Sequence, residues 1–129
     1  MTKNAVLVWG LWGLAGAAAA LALGSAQAGP DIPADVQKVF KQHCVRCHTG
    51  PKPPKGLSLI PGKIASAIGA PSAEVPTMKL IEPGATDASY LLKKVRREEG
   101  VAGKPMPPGR ALAPEEIRVL EDWIAGLAK

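Results

Sequence analysis

Cys44-Val45-Arg46-Cys47-His48 is the stretch on which the reading of this chain turns. Ahead of it, Ala34 to Val45 reads as a helix. Pro33 suits a helix start, and Val36, Val39, Phe40, Cys44 and Cys47 step along one face. At the end of such a helix, cysteines three apart share a face, and His48 follows directly. Three ordinary uses of the cluster fit poorly. A structural zinc site wants four Cys and His ligands, and this chain has two of each, with His43 and His48 crowded round the same turn. A thioredoxin-like redox pair needs a βαβ pattern, which the sequence lacks. A Cys44–Cys47 disulfide would close a loop too small to stabilise much.

Outward from the motif, two more helices are expected. One runs from Asp87 to Arg97, with Thr86 as its cap and Tyr90, Leu91 and Val95 as its apolar side. The other runs from Pro114 to Leu127. Glu115 and Glu116 lie in its first turn, and Ile117, Leu120, Trp123, Ile124 and Leu127 form its buried stripe. A short helix is possible over Lys63 to Ile68, and Gly56 to Ile60 is at most an extended piece. The connections Thr49 to Gly56, Ala70 to Pro83 and Gly100 to Pro108 are rich in Pro and Gly.

The first 28 of the 129 residues differ from the rest. They hold one ionisable side chain, Lys3, then an apolar stretch from Ala5 to Leu23 and the small-x-small run Ala26-Gln27-Ala28. This predicts a secretory signal over 1–28, cut after Ala28, and a single domain over 29–129. The competing expectation is an uncleaved membrane anchor, since the apolar run is about long enough to span. Either way the domain lies outside the cytoplasm, in a bacterium the periplasm, where free thiols do not persist. The remaining 101 residues make one small domain, which excludes a multidomain enzyme. Its aromatics are Phe40, Tyr90 and Trp123, so its core is thin and needs a staple, metal or cofactor. A net charge of +5, or +4 without Lys3, is too weak to argue for nucleic acid.

In an exported chain, Cys-x-x-Cys-His at a helix end is the signature of covalent haem c attachment. Cys44 and Cys47 would form thioethers with the two porphyrin vinyl groups, and His48 would carry an imidazole nitrogen to the iron. A second axial ligand is available in Met106, set between Pro105 and Pro107-Pro108, whose fixed φ angles reduce the freedom of the loop. Met78, also in a Pro-bounded loop, is the alternative. His43 is pinned at the ring edge by Cys44 and is expected to flank the haem or meet solvent.

Several stretches together resemble a bacterial monohaem cytochrome c domain of the planctomycete or myxobacterium type. They are Val39 to His48, Gly56-Leu57-Ser58-Leu59, Glu82 to Leu91, Lys104 to Gly109, and Leu112 to Ile117 with Trp123-Ile124. The resemblance covers nearly all of 34–127. It implies an all-α, cytochrome c-like fold of three to four helices round one haem, with His and Met as axial ligands. Two positions depart from the pattern. Ala113 stands where Ser or Thr usually caps the last helix, and Met78 where an aliphatic residue is usual.

The expected function is single-electron transfer in the periplasm, not enzymatic catalysis, because His/Met iron has no open site. Leu57, Leu59, Val95, Leu120 and Trp123 are expected to line the ring. Lys52 and Lys55, and the cluster Lys93, Lys94, Arg96 and Arg97, are candidates for meeting an acidic redox partner, or are solvated faces. A membrane is involved only if the leader stays as an anchor. The alternatives are a haem-based ligand-binding, sensor or peroxidase-like module with a labile Met, and a haem-free module held by a disulfide.

Overall fold

The computed structural model describes residues 30–127, and their regular structure is helical. Helix α1 spans Ala34–His43, α2 Tyr90–Arg96 and α3 Pro114–Gly126. Two 3-10 turns, Pro54–Gly56 and Ile64–Ala67, lie between α1 and α2. Among the described residues no strand forms, only isolated bridges such as Ile68 with Ile81. The all-α class is therefore as expected. The leader over 1–28 and its cut after Ala28 lie outside the described residues. No helix among the described residues is long and apolar enough to cross a membrane.

Helix α1 begins where Pro33 predicts. Asp35 lies in its first turn and Lys41 and His43 in its last, both favourable to the helix dipole. Val36, Val39 and Phe40 are buried. The helix stops at His43, two residues before the expected end, and the cysteine motif forms a separate turn.

Helix α2 starts at Tyr90 rather than Asp87. The reason is that nearby groups are already paired. Tyr90 N bonds Lys79 O at 3.0 Å and Leu91 N bonds Leu80 O at 2.9 Å. The fully buried Ser89 hydroxyl donates to Ala85 O at 2.9 Å and accepts from Glu82 N at 2.9 Å. A serine that serves neighbouring backbone in this way holds a turn in place of a helix. Residues 86–89 are that turn, and Thr86 is not the cap.

Helix α3 packs against both others. Leu120, Trp123 and Ile124 are buried, with Ile117 and Leu127 half-buried against the core. Trp123 meets Phe40 edge-on, centroids 6.0 Å apart at 85°. Such aromatic pairs contribute about 0.5–1.5 kcal/mol beyond their buried area. Arg96 of α2 reaches Glu121 of α3 at 2.8 Å. At the start of α3, Ala113 has no side-chain acceptor, but Glu116 Oε2 accepts from Ala113 N at 2.9 Å. Half of a capping box is thus present.

Candidate functional site

A cleft of about 490 Å³ lies beside the cysteine motif, bounded by α1, α2, α3 and the loop after α2. Phe40, Leu57, Leu59, Leu91, Val95 and Leu120 give it an apolar wall. Cys44, Cys47, His48 and Met106 all line it. The size is within the range of about 300–1,000 Å³ usual for small-molecule and cofactor sites.

The motif is positioned by a tightened continuation of α1. Cys44 N and Val45 N both bond Phe40 O, at 2.8 and 2.9 Å. Cys47 N and His48 N then bond Cys44 O, at 3.1 and 2.9 Å. Both thiols are free, Cys44 half-buried and Cys47 exposed. Burial pushes the Cys44 thiol up to about 12, which disfavours its thiolate at neutral pH. A redox-active cysteine pair needs the opposite shift, toward thiolate.

His48 Nδ1 lies 2.9 Å from Leu57 O. A carbonyl only accepts, so Nδ1 donates, and the lone pair of the neutral ring is on Nε2. Metal-bound histidines are oriented by the same kind of bond. The extended piece that supplies this carbonyl is fixed in turn by Leu59 N on His48 O at 2.9 Å.

The two candidate methionines part company. Met106 is on the cleft wall with Pro107 and Pro108. Met78 is not among the lining residues. It sits in the loop between the 3-10 turn and α2, where Met78 N bonds Val75 O at 2.9 Å and Ser72 N bonds Met78 O at 2.8 Å. Trp123, expected at the ring, is also off the wall, because its ring packs on Phe40. Leu57, Leu59, Val95 and Leu120 do line the cleft. So does His43, whose Nε2 is 2.7 Å from Glu116 Oε1.

One polar corner was not foreseen. Glu74, Tyr90 and Lys94 line the cleft and bond to one another. The hydrogen bond from Lys94 holds the Glu74 carboxyl below the usual range. Burial, then Glu74 itself, pushes the Tyr90 phenol up to about 12. In the sequence Glu74 carries no signal, and Lys94 looks like one of a basic cluster.

That cluster is not a free cationic face. Lys93 pairs with Glu98, Lys94 with Glu74, and Arg96 with Asp87, Glu98 and Glu121. Arg97 donates to Pro107 O and Gly109 O. All four cations are taken up within the fold. Lys52 and Lys55 remain exposed beside the motif.

Among the described residues no three His, Cys, Asp or Glu side chains come together as a metal-holding group. A haem iron asks the chain for only two axial donors, here an imidazole and a thioether. Two thiols, an imidazole oriented through Nδ1 and a thioether, all lining one apolar cleft, are a donor set suited to a covalently attached haem. No protein family, curated protein or solved structure matches the chain.

Proposed function

We propose that this chain is a periplasmic, c-type cytochrome-like electron carrier holding one covalently attached haem. The observation that carries the reading is the shared apolar cleft lined by Cys44, Cys47, His48 and Met106. A bound haem supplies an iron that gains and loses one electron at a time. Cys44 and Cys47 provide the sulfurs for two thioethers. His48, its ring oriented by Leu57 O, would hold the iron through Nε2. Met106 would supply a second donor, a soft thioether that favours the ferrous state and raises the potential. Phe40, Leu57, Leu59 and Leu120 exclude water from the ring. Lys52 and Lys55 are exposed next to the motif and suit an acidic-surfaced redox partner.

The test is a haem-stained denaturing gel of protein made with a cytochrome c maturation system, with absorption spectra before and after dithionite. A covalent haem signal and a reversible, low-spin spectral change are expected. Cys44→Ala with Cys47→Ala removes the signal. A wild-type chain that matures without covalent haem overturns the proposal. Mass spectrometry of the mature protein should find Gly29 first and one haem added; an intact N-terminus in the membrane fraction would make the leader an anchor.

A further inference from the structure

The loop that carries Met106 is held by side chains and not by its own backbone. Among the described residues no backbone–backbone hydrogen bond joins residues 99–112 to any other part of the chain. Side chains of α2 and of the residue that ends it supply the missing restraint. Lys94 is buried, and its three ammonium protons have three acceptors: Glu74 Oε2 at 2.7 Å, Ala102 O at 2.6 Å and Lys104 O at 2.8 Å. The Tyr90 hydroxyl donates to Glu74 Oε2 at 2.9 Å, with Ala102 O at 3.3 Å. Gly103, at φ 71°, lies so close to Glu74 that a Cβ there would overlap the carboxylate. Beyond Met106, Arg97 Nη2 donates to Pro107 O at 3.0 Å and Gly109 O at 2.6 Å. Arg97 itself is left-handed, at φ 59°, where a helix end usually has glycine. A glycine there would keep the backbone and lose both bonds. The tethered carbonyls, at 102, 104, 107 and 109, therefore bracket Met106 on both sides.

We infer that Lys94, with its counter-ion Glu74, and Arg97 are positioning residues for Met106. They hold the 100–109 loop down on the cleft and set how readily the thioether leaves the iron. This rests on the His/Met haem reading. Lys94 fixes the entry to the loop and Arg97 its exit, so the backbone that carries Met106 lifts from the cleft only if one of these anchors lets go.

The experiment uses the haem-loaded protein and three variants. Arg97→Gly removes the exit anchor without straining the helix end. Glu74→Gln with Lys94→Met removes the entry anchor without leaving a buried charge unpaired. Arg96→Ala, which breaks the link from α2 to α3 through Glu121 and touches nothing in the loop, controls for general loss of stability. Carbon monoxide binding to the ferrous protein should be slow in the wild type, because Met106 must leave first. It should be at least about tenfold faster in the first two variants, each of which loses two charged hydrogen bonds to loop carbonyls. It should stay within a factor of about two in Arg96→Ala, whatever its melting temperature. Arg97→Lys, which can restore one of the two bonds, should fall between. Backbone order parameters across residues 102–109 should fall in the same two variants and stay at the wild-type values in Arg96→Ala. The inference is overturned if Arg97→Gly and the double variant match the wild type, or if Arg96→Ala accelerates binding as much as they do. A wild type that lacks methionine ligation overturns the His/Met reading itself, so the two failures are told apart by the wild-type spectrum.

Discussion

His48 and Met106 differ in what fixes them. His48 is set by one short bond from Nδ1 to Leu57 O, inside a turn whose own amides bond back to Phe40 and Cys44. Met106 is held only through its loop. On the proposed His/Met ligation, a strong donor on a rigid turn and a weak donor on a tethered loop would make an asymmetric pair, and the weaker one would govern both potential and access. Met106→Ala should abolish the weak near-infrared band of sulfur-to-iron ligation in the ferric protein and open the ferrous iron to carbon monoxide. It should also lower the reduction potential by an appreciable part of the roughly 0.8 V that axial ligands command. Met78→Ala should leave spectrum and potential near those of the wild type, since Met78 is off the cleft wall. The reverse result, with the band lost in Met78→Ala and kept in Met106→Ala, would move the ligand and leave the Pro105 to Pro108 stretch a structural loop.

At the scale of elements, α3 is the strut against which α1 and α2 pack, and its start is under-capped. Glu116 is the one side chain serving there. The Ala113 amide chiefly, then His43 and Arg110, hold its carboxyl below the ordinary range. Ala113→Ser adds the missing acceptor, and N-caps of this kind are worth about 1 kcal/mol. The variant should melt a few degrees higher with an unchanged haem spectrum, and an unchanged melting point would mean that the start of α3 gains nothing from a second acceptor. The same carboxyl gives a pH dependence. Because its folded value is depressed, its contribution is present above the unfolded carboxylate pKa of about 4.3 and is lost as pH falls through the folded value. Glu116 is partly exposed, so the effect is less than about 1 kcal/mol. Denaturant titrations at pH 5 and pH 3 should show the wild type losing more stability than Glu116→Gln; equal losses would mean that Glu116 is not protonated preferentially in the unfolded chain. The starts of α1 and α3, and the apolar side of α3, were legible because Pro33, Pro114 and the 3.6-residue spacing are local signals. The start of α2 was not, because Lys79 O and Leu80 O, ten or more residues upstream, claim the amides that would have extended it. The fate of most of the cluster from Lys93 to Arg97 was hidden for the same reason. Lys94, Arg96 and Arg97 are taken up by partners that only the fold brings near, Glu74, Glu121 and Gly109, while Lys93 takes the sequence-local Glu98.

For the whole molecule, the cleft sets the terms of stability. The apolar wall of the cleft stays in contact with water unless something covers it, and apolar surface left in water forgoes about 25 cal/mol per Å² of the burial that stabilises a domain. Against it stands a core of three short helices with three aromatics, two of which, Phe40 and Trp123, pack on each other. The thinness of this core was legible from composition. The volume to be filled was not, because a cleft is made by residues as far apart as Phe40, Leu91 and Leu120. The haem-free chain, made as Cys44→Ala with Cys47→Ala, should therefore lack a cooperative melting transition, show little helical circular dichroism and bind hydrophobic dyes. The haem-loaded chain should melt cooperatively. Two observations separate filling the cleft from merely tethering the chain. Adding free haem to the double-alanine variant should restore part of the helical signal, because the apolar wall and His48 are intact. Replacing Leu120, buried beneath the cleft, with Ala should lower the melting point of the haem-loaded protein by the equivalent of about 2–5 kcal/mol. A haem-free chain that melts cooperatively and shows dispersed amide resonances would mean that the helices sustain the cleft unaided. The haem would then have no structural role, and this small core would need no cofactor to fold.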